Sequence, residues 1–248
     1  DEQIELIRQA VEEKPDVMIL SAADYDRCAE ATEEAIAAGI RVVAVDTDVN
    51  AEGRACYVGS DNYEMGLEMG QQMASYLPEG GKVAVIQHML TTTTGIDRTR
   101  GVIDALTEAG NIEILGSFCC DNSTDRARTI TQELLEQAPD ISGFVCTNEV
   151  CNVGAANALV ELGMGGKVFV VGCDNSQRQI AFLEQNIIQA IVTQRPFNMG
   201  YMAVQQAVGA ASGEKSENFV EVPCVLITRE NMYTQENQKL LFPLTGES

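Results

Sequence analysis

Short apolar runs rich in Val and Ile alternate with longer stretches of helical periodicity along the whole chain. The runs are almost uninterrupted, as expected for parallel strands that helices cover on both faces. They predict strands at Val17–Leu20, Val42–Val45, Val83–Ile86, Ile112–Leu115, Phe144–Cys146, Val168–Val171, Ile191–Thr193 and Val225–Ile227. The stretches between them predict helices near Gln3–Glu13, Tyr25–Ala38, Tyr63–Tyr76, Arg98–Ala109, Arg126–Gln137, Gly154–Leu162, Gln177–Gln185 and Met199–Ala211. Such sustained alternation predicts an α/β fold built from doubly wound parallel sheets.

Residues at the ends of the predicted helices support these bounds. Gly39, Gly110 and Gly163 each follow a helix, where a left-handed residue commonly ends it. Asp61 and Ser176 stand where N-caps belong. The alternation therefore has local as well as periodic support.

Charge and length exclude several classes of protein. The chain has 248 residues, enough for two ordinary lobes, and 16 Lys and Arg against 37 Asp and Glu give a net charge of -21. Because no basic patch offsets this charge, we expect no binding to nucleic-acid phosphates or anionic lipid. No apolar run reaches the ~18 residues of a membrane-spanning helix. The chain opens at Asp1 without an initiator Met or a visible signal peptide, which favours a processed or trimmed start.

The cysteines and the single histidine point to neither a metal site nor a cofactor. Eight cysteines lie at positions 28, 56, 119, 120, 146, 151, 173 and 224, and none forms Cys-x-x-Cys. Their spacing is unlike a disulfide scaffold, and several fall in apolar strands, so we interpret them as mostly free, buried thiols. The glycines of 163–166 match neither a dinucleotide fingerprint nor a phosphate loop.

Polar side chains follow almost every predicted strand. They are Ser21, Asp46, Asp48, His88, Asn148, Glu149, Asp174, Asn175, Gln194 and Arg195, with Arg98 opening the helix after the third strand. Ligands of open parallel sheets bind outside the carboxyl ends of the strands. Carboxylates accept hydroxyl protons, a guanidinium donates a planar fork, and amides do both. This mixture indicates a neutral, hydroxyl-rich ligand.

Each candidate also has an ordinary structural role that the sequence leaves open. Asp46 could be a solvated turn residue, and Gln194 a residue of a hinge alone. Asn148 and Asp174 could be helix caps or turn formers. Arg98 could be a first-turn helix residue paired with a neighbouring acid, although the helix dipole disfavours a cation there.

Three further polar features favour the structural interpretation. Asp61 is predicted to cap the helix that follows it. Thr91–Thr94 could cradle an anion at a helix start, but a flexible polar loop is the favoured interpretation. His88 has no Ser or Cys arranged for nucleophilic catalysis and is interpreted as a satisfied or exposed polar residue at a strand end.

Six short segments occur in an order and at a spacing that resemble the ribose/galactose-type periplasmic sugar-binding proteins. The segments are Val43–Asp46, Gly59–Asn62, Arg98–Gly101, Cys146–Glu149, Val170–Asp174 and Thr193–Pro196. The resemblance covers roughly residues 3 to 232 and extends to the effector domains of LacI-type repressors, which share the fold. It implies the periplasmic binding protein type I fold of two lobes joined by three crossings. The family opens with a strand, a helix and a second strand ahead of the point where this chain begins, so the resemblance implies an N-terminally incomplete first lobe.

The resemblance also implies lobe boundaries and a ligand site. The lobes are expected at 1–59 plus 195–222 and at 60–194 plus 223–248, with crossings near Gly59–Asp61, Gln194–Pro196 and Val220–Cys224. The implied ligand-binding residues are Ser21, Asp46, Arg98, Asn148, Asp174 and Gln194. Asn122 falls where sugar binders place an aromatic ring, and Thr47 where ribose binders have Arg, so the ligand's identity does not carry over from ribose.

The implied function is capture of a sugar or polyol between the lobes by hinge closure, and its presentation to an ABC transporter. The expected partners are that ligand and an ABC permease or membrane sensor; we expect a monomer outside the cytoplasm, either periplasmic or lipid-anchored at the cell surface. The alternative is the ligand-sensing domain of a LacI-type regulator or a sensor kinase. An enzyme is disfavoured, because no nucleophile is paired with a base.

Overall fold

The computed structural model describes residues 1–242 and divides the chain into two compact units. Unit 1 comprises Asp1–Asp61, Thr91–Thr94 and Arg195–Pro223. Unit 2 comprises Asn62–Leu90, Gly95–Gln194 and the residues from Cys224 onward. The lobes expected from the sequence differ from these units at residues 60, 61, 91–94 and 223, and the last six residues of the expected second lobe lie outside the described residues.

Helices and strands alternate through both units. The helices are α1 (Glu2–Glu13), α2 (Ala29–Ala37), α3 (Asn62–Tyr76), α4 (Thr93–Ala109), α5 (Thr124–Gln137), α6 (Glu149–Glu161), α7 (Gln177–Glu184), α8 (Pro196–Ala211) and α9 (Gln235–Leu241). The strands are β1 (Val17–Leu20), β2 (Arg41–Val45), β3 (Cys56–Gly59), β4 (Gly81–Gln87), β5 (Ile112–Cys119), β6 (Ile141–Cys146), β7 (Phe169–Cys173), β8 (Ala190–Thr193), β9 (Phe219–Glu221) and β10 (Val225–Thr228). Among the helices of residues 1–242, none is both long and apolar enough to cross a membrane.

Each unit is built on one sheet. The sheet of unit 1 has the order β1-β2-β3-β9 with every pair parallel. The sheet of unit 2 has the order β10-β8-β7-β6-β4-β5, and only its edge pair β10–β8 is antiparallel. The predicted α/β class with doubly wound, mostly parallel sheets is confirmed.

Helices cover both faces of each sheet, and this explains the uninterrupted apolar runs. In β2, Val42 belongs to the cluster that contains Ile7 of α1, whereas its neighbour Val43 belongs to the cluster that contains Met199 of α8. Unit 2 likewise buries alternate residues of its strands in two clusters. Strands buried on both faces leave polar side chains only at their ends, which is where the candidate residues lie.

Three elements were not predicted. They are β3, β9 and α9, all of them short. β3 reads Cys-Tyr-Val-Gly and β9 is three residues long with no buried side chain, so neither produces a sustained apolar run. Their strand conformation depends on parallel pairing with β2 and with each other rather than on local pattern.

The start of α4 corrects two expectations. The sequence predicts a helix from Arg98 after a flexible polar loop, but α4 begins at Thr93, so Arg98 lies in its second turn. Thr92 and Thr94 are buried, and the Thr94 hydroxyl donates to Thr92 Oγ1 at 3.0 Å. Thr and Gly are weak helix formers, so the sequence pattern underestimates a first turn that burial stabilises.

Helix ends follow their predicted chemistry. Gly39, Gly110 and Gly163 all have a positive φ, between 64° and 93°, immediately after a helix. The Ser176 hydroxyl accepts from the Gln179 N–H at 3.3 Å and caps α7. The predicted cap at Asp61 stays a prediction.

Candidate functional site

The predicted ligand-binding residues are distributed over both units. Arg98, Asn148, Asp174 and Gln194 belong to unit 2, and Ser21 and Asp46 to unit 1. All but Arg98 stand at or just beyond the carboxyl end of a strand.

Arg98 lies at the centre of the candidate site in unit 2. Its side chain is 3% exposed, and its Nε donates to Asn62 Oδ1 at 2.9 Å. One terminal nitrogen donates to the Thr147 carbonyl at 3.0 Å, and the other to Gln194 Oε1 at 3.1 Å. The Asp174 carboxylate is 3.8 Å from Nη1. The structure thus brings three of the predicted residues, Arg98, Asp174 and Gln194, together.

Two glycines let α4 approach α3 closely enough to place Arg98. A Cβ on Gly66 of α3 would lie 2.2 Å from the carbonyl oxygen of Arg98. A Cβ on Gly101 of α4 would lie 2.2 Å from the carbonyl oxygen of Tyr63. Neither distance is compatible with a side chain, so the helix contact that positions the guanidinium requires glycine on both sides.

Asp174 follows β7 in a left-handed conformation with φ of 69°. Its Oδ2 accepts from the backbone N–H of Glu149, the first residue of α6, at 3.1 Å, and its Oδ1 accepts from the Cys173 thiol at 3.2 Å. A helix N-terminus favours a carboxylate, and unusual backbone conformations concentrate at functional sites. Asp174 is therefore fixed by its backbone and by α6, while its side chain stays 29% exposed.

Asn148 is an N-cap as well as a candidate ligand-binding residue. Its Oδ1 accepts from the backbone N–H of Cys151 at 3.0 Å, which caps α6. Its Nδ2 donates to Asn122 Oδ1 at 3.0 Å. The two amides therefore form one hydrogen-bonded pair, and Asn122, at the position where an aromatic was expected, is part of the same polar surface.

His88 joins this cluster, although sequence analysis set it aside. Its Nδ1 is 2.8 Å from the Thr147 hydroxyl, and its backbone N–H donates to the same oxygen at 3.2 Å. Burial first, and then the positive charge of Arg98, lower the pKa of His88 to about 4, against an opposing effect of Asp174. The imidazole is neutral at pH 7, with one donor and one acceptor nitrogen. The available signal was its position directly after β4, at the same edge of the sheet.

In unit 1, Asp46 repeats the backbone conformation of Asp174. It follows β2 with φ of 63°. Its N–H donates to the Val58 carbonyl at 2.9 Å, and its own carbonyl accepts from the Tyr57 hydroxyl at 2.7 Å. These bonds fix the backbone of Asp46 at the end of the sheet, and its side chain is half-buried.

Ser21 is exposed, and its hydroxyl already has a hydrogen-bond partner in the protein. Its hydroxyl is 2.9 Å from Thr47 Oγ1, and Thr47 donates its only proton to the Ala22 carbonyl at 2.8 Å. Ser21 is therefore the donor to Thr47, and only its lone pairs are available to a ligand.

The carboxylate of Asp48 has a cationic partner. Arg54 Nη2 lies 2.7 Å from Asp48 Oδ2, and both side chains are largely buried. This pairing accounts for the second acid near Asp46 without a ligand.

The polar cluster of unit 2 contains one cation, one carboxylate, two amides and a neutral imidazole. These groups belong to Arg98, Asp174, Asn148, Gln194 and His88. Such a set offers donors and acceptors in a small space without a large net charge, which fits hydroxyl groups better than an ionised ligand. Within residues 1–242, no three His, Cys, Asp or Glu side chains are grouped to hold a metal ion.

Two α/β units, each presenting polar residues at the carboxyl ends of a mostly parallel sheet, define a class of small-molecule binding protein. A family model described as a periplasmic binding protein domain matches residues 1–215. The chain belongs to this family, as the resemblance predicted.

Similar proteins agree with the family assignment. The D-ribose/D-allose-binding protein of Pseudomonas aeruginosa is 26% identical over 236 residues, which cover 91% of this chain and 74% of that protein. The crystal structure of a sugar transporter from Clostridium phytofermentans is 33% identical with a TM-score of 0.83, covering 91% of this chain and 81% of that one. An ABC transporter solute-binding protein from Agrobacterium vitis, with bound D-fucose, is 25% identical with a TM-score of 0.93 over 97% of this chain and 84% of that one.

Proposed function

We propose that this chain is a solute-binding protein for a sugar or polyol, and that Arg98, His88, Asp174 and Gln194 bind the hydroxyl groups of that ligand. The observation that carries the proposal is the buried guanidinium of Arg98, which holds Gln194 and lies beside Asp174 at the carboxyl end of the sheet. The sugar-binding relatives support it, because each is named for or contains a neutral polyhydroxyl ligand.

The cluster is arranged in advance of binding. Arg98 is fixed by Asn62 and Thr147, and Asp174 by the N-terminus of α6. A ligand therefore has few side chains to order, and the entropic cost of binding is reduced. The Asp174 carboxylate accepts hydroxyl protons, the guanidinium donates to hydroxyl oxygens, and the neutral imidazole can do either.

Binding serves transport in this proposal, and no chemical step is assigned to the chain. The ligand favours the closed form of the protein by its differential affinity, and an ABC permease recognises that form. The family and the import function of the relatives support a location outside the cytoplasm, either in the periplasm or lipid-anchored at the cell surface. We propose a monomer with no nucleic-acid partner.

A thermal-shift titration tests the ligand class. The purified chain is titrated with a panel of pentoses, hexoses and inositols while the midpoint of thermal unfolding is recorded. A ligand at one hundred times its Kd stabilises the folded chain by about 2.7 kcal/mol, which raises the midpoint measurably. If no member of the panel raises the midpoint at millimolar concentration, the carbohydrate assignment is wrong.

Variants of two arginines on α4 connect the ligand to the site. Arg98→Ala should abolish the shift, because it removes the buried fork. Arg100→Ala is the matched control, since that side chain is 60% exposed and pairs with Asp97. Equal shifts in both variants would remove Arg98 from the binding site.

An uptake assay in cells distinguishes a transport protein from a ligand sensor. Cells that lack the gene should fail to accumulate the labelled sugar that the panel identifies. Normal accumulation in those cells, with a lost transcriptional response to the sugar, would favour the sensor alternative.

A further inference from the structure

Two cysteine sulfurs of unit 2 lie in contact, and one belongs to the residue whose backbone N–H donates to Asn148. Cys120 Sγ and Cys151 Sγ are 3.4 Å apart, and both residues are fully buried. Cys120 follows the end of β5, and Cys151 lies in the first turn of α6, 31 residues further along the chain. The contact therefore joins the end of β5 to the start of α6, which are distant in the sequence and adjacent in the folded chain.

The surroundings of the two sulfurs differ. The hydrogen bond from the Cys151 thiol favours a thiolate at Cys120 and lowers its pKa, against the opposing effect of burial. Burial raises the pKa of Cys151, so that sulfur keeps its proton and donates it. A stabilised thiolate in contact with a second thiol is the arrangement that thiol–disulfide exchange uses.

We propose that Cys120 and Cys151 form a reversible disulfide, with a small-molecule or protein disulfide as the oxidant. The Cys120 thiolate attacks one sulfur of the oxidant, forms a mixed disulfide and releases the other sulfur as a thiolate. Cys151 then loses its proton, attacks Cys120 Sγ and displaces the second thiolate of the oxidant. Two protein thiols lose two electrons, and one external disulfide becomes two thiols, which take up the protons of the cysteines.

By this proposal, the oxidant reaches Cys120 when the short turn that follows it opens. Asp121 and Asn122 follow Cys120 directly, and both side chains are exposed. Their φ values of 48° and 54° are left-handed, a conformation that Asp and Asn adopt more readily than other residues with a Cβ. Opening this turn leaves the remainder of β5 paired with β4.

The disulfide would act on the ligand site through two asparagines. The backbone N–H of Cys151 donates to Asn148, and Cys120 is two residues before Asn122. Bond formation draws the sulfurs from contact to about 2 Å and so moves the first turn of α6 toward the end of β5. We expect at least a threefold change in sugar Kd on oxidation, a consequence that rests on the proposed function.

The disulfide itself is tested without any ligand. Reduced protein is equilibrated with oxidised glutathione, free thiols are blocked with a maleimide, and intact and proteolysed protein are analysed by mass spectrometry. The wild type should lose two reactive thiols and yield a peptide pair joined through Cys120 and Cys151, and dithiothreitol should restore both thiols. A linkage through Cys119 or Cys146, or eight thiols left after equilibration, would overturn the proposal.

Single substitutions provide the controls. Cys120→Ser and Cys151→Ser should each prevent the linkage. Cys119→Ser should leave it intact, because that half-buried thiol is directed to Asp121 Oδ1 at 3.3 Å. If either buried variant fails to fold, the mapped linkage in the wild type still decides the question. An intact disulfide with unchanged sugar affinity would refute only the coupling to the site, and no sugar binding by either form would refute the proposed function alone.

Discussion

Arg98 makes hydrogen bonds to several residues of the candidate site, because a buried guanidinium needs hydrogen-bond acceptors. A charged group removed from water is tolerated only when it is paired and hydrogen-bonded. Arg98 is hydrogen-bonded to Asn62, Thr147 and Gln194. The Asp174 carboxylate, 3.8 Å from Nη1, supplies the opposite charge. The same contacts fix the plane of the fork. Its position therefore depends on its shape as well as on its charge.

The Arg98→Lys variant tests whether binding needs the planar guanidinium or only its positive charge. Arg98→Lys keeps the cation but loses the planar fork that reaches three partners, so one or more buried acceptors lose a charge-assisted hydrogen bond. We expect sugar affinity to fall by about 2 kcal/mol, roughly thirtyfold, in isothermal titration. Arg100→Lys should leave the affinity unchanged. Wild-type affinity in Arg98→Lys would show that the charge alone matters.

The single histidine of the chain gives a direct pH test. His88 has a folded pKa of about 4, whereas an unfolded chain titrates near 6.5. Between these values only the unfolded chain binds the proton, so the free energy of unfolding falls as pH drops from 6.5 to 4. The loss should be on the order of 3 kcal/mol relative to His88→Asn, which lacks this titration. The imidazole C–H resonances should titrate near pH 4; a midpoint near 6.5 would contradict the buried, neutral imidazole.

The sequence predicts which polar residues lie at strand ends, but it does not predict their protonation states. Gln194 and Asp174 were predicted from their positions after buried strands, and both do lie at strand ends. The neutral state of His88 depends on burial and on Arg98, which is ten residues away in the chain, so no local pattern reveals it.

Among the elements, the α3–α4 pair matters most for the site because it sets the distance of Arg98 from the sheet. Gly66 and Gly101 permit a helix contact that any side chain would block. Close backbone approach of this kind is specific to its two positions and is sensitive to one methyl group.

Alanine scanning of two helical glycines tests this contact. Gly101→Ala should destabilise the fold by about 1–3 kcal/mol and weaken sugar binding, because α4 must move away from α3. Gly200→Ala on α8 is the matched control, since nothing lies within 4 Å of the added Cβ. The control should be stabilised by about 0.5–1 kcal/mol in chemical denaturation, because alanine favours helix. Equal effects of the two variants would refute the close-contact argument.

Helices and strands were predictable where packing and local pattern agree. β1 was predicted with both ends correct, and its Val-Met-Ile-Leu run needs no context. The first turn of α4 and the strands β3 and β9 were not, because buried threonines and parallel pairing, rather than propensity, stabilise them.

In both units, an aspartate with a left-handed backbone conformation follows a strand. Asp46 follows β2 and Asp174 follows β7, each with φ between 60° and 70°. Asp and Asn tolerate this region far better than other residues with a Cβ. The repeat places a carboxylate at the end of a strand in each unit.

Asparagine variants test the role of these carboxylates. Asp46→Asn and Asp174→Asn keep the left-handed backbone but lose the charge that accepts two hydroxyl protons. We expect Asp174→Asn to raise the Kd for the sugar about tenfold or more. It should also lower the unliganded melting temperature, because the Asp174 carboxylate lies 3.8 Å from the buried Arg98 guanidinium. An unchanged Kd in Asp174→Asn would remove that carboxylate from the binding site.

The architecture was predictable from the sequence, whereas the ligand is not. Strand–helix alternation specifies parallel sheets, and their carboxyl ends specify where polar residues gather. The choice among sugars depends on which hydroxyl each group meets, and Asn122 and Thr47 depart from the ribose pattern at two such positions. Distances of that kind are set by the complex and not by the periodicity of the chain.

A crystal structure of the chain with the sugar that gives the largest thermal shift tests the central claim most directly. The account predicts sugar hydroxyls within hydrogen-bonding distance of the Arg98 guanidinium and the Asp174 carboxylate, with neutral His88 in contact with the ligand. A sugar bound elsewhere, with Arg98 keeping only its protein partners, would contradict it.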